Sequence, residues 1–217
     1  MKAFIFDMDG VIIDSEPIHF EIDVQTMKRY GVTITHYELE RYVGMTNPEM
    51  WQLLKQQYEL PEEISDIIEY QLSSKIDIIR NLDIAPIPGI AELISELKSN
   101  QIKLGVASSS PIRFINEVLK KFEWLAEFEC VISGEDMAKG KPAPDIYVAA
   151  AGLLEVEPQE CVVLEDSRNG ILAAKSANMT CIGYCNPNSG NQDLSHADLI
   201  VKDIREIKVI DFLHKEH

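Results

Sequence analysis

The apolar positions of this chain change their spacing twice. Residues 3–6, "AFIF", form an unbroken apolar run closed by Asp7 and read as a buried strand. From residue 15 to about residue 84 the apolar positions keep helical spacing only. Here "SEPIHFEIDVQTMKRYG" predicts a helix with Ser15 as its N-cap, Pro17 in the first turn and Gly31 as its stop. "THYELERYVG", ending at Gly44, predicts a second helix, and "NPEMWQLLKQQYE" a third, with Asn47 as cap and Pro48 at the first helical position. "PEEISDIIEYQLSSKIDIIRNL" predicts a longer fourth. "PIPG", residues 86–89, punctuates, and from there helices alternate with short apolar strands. "IAELISELKSN" precedes "KLGVAS", "PIRFINEVLKKF" precedes "ECVISG", "PDIYVAAAGLL" precedes "CVVLED" and "NGILAAKSANM" precedes "TCIGY". "DLIV" then precedes a helix around "IREIKVIDFLHK".

This alternation predicts a parallel sheet with helices on both faces, and the first strand joins that sheet. The fold class is therefore α/β, a Rossmann-like parallel sheet core carrying an inserted all-helical domain. The core takes residues 1–14 and 86–217 and the insertion residues 15–85, joined by linkers near 14–16 and 84–88. No internal repeat appears.

Composition narrows the functional classes. The 217 residues, 46% of them hydrophobic, are enough to bury a real core. The formal net charge of −16 repels nucleic acid and anionic lipid, so neither is an expected partner. A local cation can still outweigh that distant field for a small anionic substrate. No stretch approaches a membrane span, and Asp7 and Asp9 interrupt the N-terminal apolar run before a signal-peptide core forms, so a cytoplasmic protein is expected. Cys130 and Cys161 fall in predicted core strands and read as buried thiols, and Cys181 and Cys185 lack further zinc ligands.

Open α/β sheets bind ligands outside the carboxyl ends of their strands. Asp7 and Asp9 stand at the end of the first strand, and Ser108, Ser109 and Ser110 at the end of "KLGVAS". The loop "GEDMAKGKPAPD" after "ECVISG" carries Lys139 and Lys141, and "CVVLED" ends in Glu165 and Asp166. A single strand-terminal Asp is usually a turn or helix cap; four such strand ends on one rim ask for more. Four crowded carboxylates are costly unless a cation joins them. Mg²⁺ suits the need, because it takes a few carboxylate oxygens and keeps waters that a phosphate can displace. The lysine adds a second positive charge, and Ser108 and backbone N–H groups can donate to phosphate oxygens. One carboxylate can act as nucleophile and another, two residues on, can carry a proton, which suggests phosphoryl transfer through an acyl phosphate on Asp.

In order and spacing, "DMDGVIIDSEP", "VASSS", "KGKPAPDIY" and "LEDSRNG" resemble the four motifs of the haloacid dehalogenase-like superfamily. The resemblance covers essentially the whole chain and is closest to the branch of small sugar-phosphate phosphatases and β-phosphoglucomutase-like proteins. It implies that Asp7 is the phosphorylated nucleophile, and that Asp9 is the general acid/base and lends its backbone carbonyl to Mg²⁺. Ser108, with Ser109 beside it, holds the transferring phosphoryl group, and Lys141 neutralises its charge. Asp166 is a metal ligand, and Glu165 acts through metal-bound water. The helical insertion resembles the family's mobile cap, and the expected species is a monomer. Lys139 fits no motif position and reads as a solvated surface charge.

Three reactions fit that resemblance. The first is hydrolysis of a small phosphorylated metabolite, with water activated by Asp9. The second is a phosphomutase that interconverts hexose 1- and 6-phosphates. The third is a sensor or a metal-free dehalogenase, and Asp9 and Asp166 argue against it. His19, near the hinge, and Ser15 resemble mutase positions; a solvated or packed helix residue is the simpler account of His19. Against the mutase, its cap presents an Arg where this chain has Asn47 and Pro48 in "GMTNPEM", and Asn cannot replace a bidentate cation. The mutase's second cap lysine has no clear match here, although Lys75 and Arg80 lie in its region. Tyr42, Met45 and Trp51 are candidates for the substrate side, with the cap's own core the default for all three. Arg168 and Asn169 are candidate contacts of the phosphate, Arg168 more naturally solvent-facing. The missing Arg favours the phosphatase.

Overall fold

The computed structural model describes residues 1–39, 42 and 47–213, with only the backbone of His36. The chain divides into two compact units, Met1–Asp14 with Ile84–His217, and Ser15–Asp83.

The first unit is built on a six-stranded parallel sheet in the order β3-β2-β1-β4-β5-β6. Its strands are β1 (Ala3–Phe6), β2 (Lys103–Ser108), β3 (Cys130–Ser133), β4 (Cys161–Glu165), β5 (Thr180–Tyr184) and β6 (Leu199–Val201). β1 and β4 are buried at every position, which is why they read as continuous apolar runs rather than alternating ones. The order reverses beside β1: the chain passes to β2 and β3 on one side, then returns to place β4 on the other. Such a switch point opens a crevice at the carboxyl ends of the strands.

Strand alternation sends odd and even positions to opposite faces. Ala3 and Ile5 of β1, Ala107 of β2 and Cys161 and Val163 of β4 pack with Ile146, Tyr147 and Ala150 of α7 (Asp145–Leu153) and with Ile171 and Ala174 of α8 (Arg168–Ser176). Phe4 and Phe6 lie together with ring centroids 4.7 Å apart, and Phe6 meets Phe128 edge-on at 5.8 Å. α5 (Ile90–Ser99) packs against β2 and α6 (Ile112–Lys121) against β3. Their small stripes of Leu93, Ile94 and Leu97, and of Phe114, Ile115, Val118 and Leu119, are buried as amphipathic spacing requires.

The second unit holds α1 (Glu16–Arg29), α2 (His36–Leu39), α3 (Asn47–Tyr58) and α4 (Ile64–Asn81). Its core comprises Met27, Ile34, Leu39, Tyr42, Trp51, Leu54, Leu60 and Ile67. Trp51 and Tyr42 are thus core residues of this unit; Met45 lies outside the described residues. One polar group interrupts that core. Gln71 is 1% exposed; its Oε1 accepts from Trp51 Nε1 at 2.7 Å and from Asn47 Nδ2 at 3.2 Å, and its Nε2 donates to Asp23. Burial is the main force raising the Asp23 carboxyl to about 6; Lys75, His19 and the Gln71 bond oppose it.

Three local expectations change. Ser15 holds the N-cap position of α1, yet its side chain makes no capping bond and its backbone is already helical, which turns the hydroxyl away from the first-turn N–H groups. Asn47 is the first residue of α3 rather than the residue before it, and its amide reaches across to Gln71. Among the described residues, the helix expected around "IREIKVIDFLHK" becomes a 3-10 turn, Ile204–Glu206, and α9 (Ile210–Leu213); His214 and Lys215 lie outside the described residues. Ile204, Ile207, Val209 and Phe212 are all buried, and no single helical stripe contains that spacing.

Candidate active site

The register of the sheet assembles the acids. Phe6 pairs with Val106 on one side and with Leu164 on the other, so Asp7, Ala107 and Glu165 stand at one level of three adjacent strands. Asp7 follows Ile5 in the alternation and Glu165 follows Val163, so both carboxylates emerge on the face that α7 and α8 cover. The loop entering α7 brings Lys141 to the same level. Its Nζ donates to Asp7 Oδ1 at 2.6 Å, to Glu165 Oε1 at 2.7 Å and to the carbonyl of Ala107 at 3.2 Å. All three side chains are at least nine-tenths buried. Lys139, two residues earlier, is exposed.

Glu165 is the most heavily bonded of these groups. Tyr147 Oη donates to its Oε1 at 2.9 Å, and Oε2 accepts from the N–H groups of Asp166 and Ser167 at 3.0 Å and from Ser167 Oγ at 2.9 Å. Ser167 in turn N-caps α8 by accepting from the N–H of Gly170. A Cβ at Gly170 would run into the Glu165 carboxylate, so only glycine there lets the acid lie against the helix N-terminus. Burial alone would raise Glu165; Lys141 and these donors together hold it below its ordinary value.

Asp7 and Asp166 are in the opposite condition. Burial, with the charges of Glu165, Asp166 and Asp9, pushes Asp7 well up in spite of Lys141. Burial and then Glu165 push Asp166 up to about 7, against a bond from Ser189 and the charge of Lys141. Lys141 itself is raised above its ordinary value; burial opposes this, and the Asp7 and Glu165 charges outweigh it.

Asp9 sits two residues beyond Asp7 in a turn closed by Gly10 N–H donating to the carbonyl of Ile13 at 2.8 Å. Its Oδ2 accepts from Ser108 Oγ at 3.1 Å and Ser110 Oγ at 2.7 Å. Ser108 is fully buried and Ser109 is exposed. Asp7, Asp9, Ser108, Lys141, Glu165 and Asp166 are therefore gathered at one end of one sheet. His19 on α1 and Asn47 on α3 belong to the helical unit. Arg168 and Asn169 are exposed at the start of α8.

Several partners of these groups carried no assignment in the sequence. Ser110 was visible in the "SSS" run, and the motif does not say which hydroxyl meets Asp9. Tyr147 lay in quoted text; its signal is that a Tyr on the buried face of a helix needs an acceptor for its hydroxyl. Asn186 and Ser189, in the loop after β5, had no sequence signal.

The donor set fits a hard divalent cation. One carboxylate oxygen each from Asp7, Glu165 and Asp166 lies within 4.8 Å of the others, the one such group among the described residues. All three are oxygen donors, and two are held in a state that burial disfavours when charged, which a cation beside them would reverse. Gly10 (φ +75°) leaves the space next to Asp166 open: a Cβ there would collide with that carboxylate. No helix among the described residues is long and apolar enough to cross a membrane.

Known proteins are similar to this chain along most of its length. The "Phosphorylated carbohydrates phosphatase" of Thermotoga maritima is 34% identical over 82% of each chain. The "Beta-phosphoglucomutase" of Bacillus subtilis is 31% identical over 100% of this chain and 95% of its own. The crystal structure of CbbY from Rhodobacter sphaeroides in complex with phosphate superposes with a TM-score of 0.85 at 27% identity, covering 95% of this chain and 96% of that one. The family model described as haloacid dehalogenase-like hydrolase matches residues 4–184, a span from β1 to the end of β5 that carries every acid of the site. This chain is an enzyme and belongs to the haloacid dehalogenase-like hydrolase family.

Proposed function

We propose that this enzyme is a Mg²⁺-dependent phosphatase that hydrolyses a small phosphorylated metabolite, a sugar phosphate, through a phosphoaspartate on Asp7. The observation that carries the reading is Lys141 clamped between Asp7 and Glu165, with a second carboxylate, Asp9, aimed by two serine hydroxyls. In the first step an Asp7 oxygen bonds to phosphorus and the ester P–O bond breaks. Asp9, as the acid, gives its proton to the departing alkoxide. In the second step Asp9, now a carboxylate, takes a proton from water as the water oxygen bonds to phosphorus. The bond from phosphorus to Asp7 breaks, and inorganic phosphate leaves. Ser108, Ser109 and Lys141 bind the phosphoryl oxygens, and Lys141 offsets the charge that develops on them. Mg²⁺ would be held by Asp7, Asp166 and the Asp9 backbone carbonyl with Glu165 alongside, and would supply positive charge to the phosphoryl group. In this reading the helical unit serves as the cap, with His19 as its candidate substrate contact.

The names of the Thermotoga and Bacillus relatives support a phosphorylated carbohydrate as substrate. The second of them also keeps a phosphomutase in play as an alternative. Asn47 argues for hydrolysis: it is uncharged, and its amide is already committed to Gln71. ³¹P NMR of the protein with Mg²⁺, β-glucose 1-phosphate and a trace of glucose 1,6-bisphosphate separates the two readings. A parallel set holds hexose, pentose and deoxyhexose phosphates. Free phosphate without isomerisation is the expected result; glucose 6-phosphate accumulating with little free phosphate would establish the mutase.

A further inference from the structure

The loop that follows β5 reaches the acid cluster although no motif marks it. Asn186, 8% exposed, donates from Nδ2 to the carbonyl of Gly10 at 2.9 Å and accepts from the N–H of Asn188 at 2.8 Å. The carbonyl of Ser189 accepts from Gln192 Nε2 at 2.9 Å, and Gln192 Oε1 accepts from the N–H of Arg168, the first residue of α8, at 3.1 Å. The segment is thus fastened at one end to the turn after Asp9 and at the other to the helix after Asp166. Between those two anchors Ser189 Oγ donates to Asp166 Oδ2. The contact is close on all sides: a Cβ at Gly10 would meet both the Asp166 carboxylate and Ser189 Oγ, the latter at 2.8 Å.

We infer that Ser189 is a positioning residue for the divalent cation, holding one oxygen of Asp166 so that the carboxylate cannot rotate away from Asp7. This rests on the reading of the acid cluster as a Mg²⁺ site. A carboxylate has about four lone-pair positions, so one hydroxyl on Oδ2 leaves Oδ1 entirely available. Asp166 differs here from Glu165, whose oxygens are taken by five donors and whose orientation needs no further support. Outer partners of this kind typically set metal affinity by about 10–100-fold. The loop around the hydroxyl also explains why Ser189 is fixed: Asn186 and Gln192 are bonded to other parts of the same sheet end, and Gln192 also donates to the Ser189 carbonyl.

The test is calorimetric titration of the full chain with Mg²⁺, repeated with Mn²⁺ followed by electron paramagnetic resonance, neither of which needs turnover. Ser189→Ala should raise the Kd about 10-fold or more, and Ser189→Thr, which keeps the hydroxyl, should restore most of the loss. Asn188→Ala removes the same loop's bond to Asp14 without touching Asp166 and should leave the Kd unchanged. An unchanged Kd in Ser189→Ala, while Asp166→Asn abolishes binding, would overturn the inference and leave the metal site standing. Equal weakening by Asn188→Ala would also overturn it, because loop order rather than the hydroxyl would then be responsible. A wild-type protein that binds neither ion would remove the metal site and the inference together.

Discussion

Two neighbouring carboxylates, neutralised one at a time, should change stability in opposite directions. Glu165→Gln keeps one acceptor oxygen and turns the other atom into a donor. If the oxygen stays with the N–H groups of Asp166 and Ser167, the new NH₂ faces Lys141 Nζ, which can only donate, and Tyr147 Oη, which can turn to accept. The charge-assisted bond from Lys141 is lost and the one from Tyr147 is exchanged for a neutral bond, together about 3 kcal/mol. Lys141 keeps Asp7, so the cost stays at the low end of breaking a buried pair, about 3–5 kcal/mol. For a chain of this size that is a fall of about 6–12 °C in the thermal midpoint. Asp7→Asn removes a charge that burial and three carboxylates disfavour, and its amide oxygen can still accept from Lys141. In chelator near neutral pH its midpoint should equal or exceed that of the wild type. The pH dependence follows the signs. Glu165, held below 4.5, contributes stability that is present above that value and lost as pH falls through the lowered one, so the Glu165→Gln deficit shrinks in acid. Asp7, raised above 3.8, costs stability as pH rises from that value through the raised one, so the Asp7→Asn advantage vanishes in acid. Thermal unfolding followed by circular dichroism in chelator, at neutral and acid pH, reads both. A Glu165→Gln midpoint within about 1 °C of wild type, or a deficit in Asp7→Asn as large as in Glu165→Gln, would refute the reasoning.

Asp9→Asn should slow turnover by about 10²–10⁴-fold with substrate affinity nearly kept; steady-state kinetics within threefold of wild type would remove Asp9 from proton transfer. A chelator should abolish phosphate release and Mg²⁺ restore it; full activity in chelator would count against the metal. Gln71→Leu should leave the Trp51 indole N–H, fully buried, without its acceptor and cost about 1–3 kcal/mol, read by urea unfolding of the full chain. An unchanged midpoint there would mean that the indole finds another partner.

What the sequence could reveal depended on how local the cause was. Five of the strands announced themselves because burial on both faces leaves unbroken apolar runs, as in "AFIF" and "CVVLE". β6 is shorter and has exposed Leu199 and Ile200, and only its position after β5 suggested it. Asp7 and Glu165 could be placed on one rim because both end strands, and strand register then sets them side by side. The bonds within the rim were not legible. Tyr147 reaches Glu165 from a different element 18 residues away, and Ser189 reaches Asp166 from a loop whose path no periodicity encodes. The same holds for Asn47, whose local sequence reads as a helix cap while its amide answers to Gln71, 24 residues on. The first half of the C-terminal helix failed for a related reason: the burial of Ile204, Ile207 and Val209 within the sheet unit overrode a weak helical pattern.

The central claim is a covalent phosphoaspartate at Asp7. Wild-type enzyme turning over a phosphorylated sugar with Mg²⁺ should be quenched in acid within the first turnovers, digested and mapped by mass spectrometry. The account predicts one added phosphoryl group on the peptide carrying Asp7, absent from Asp7→Asn and lost when the quenched sample is made alkaline. Steady phosphate release with that peptide unmodified, or the phosphoryl group on any other residue, would contradict it.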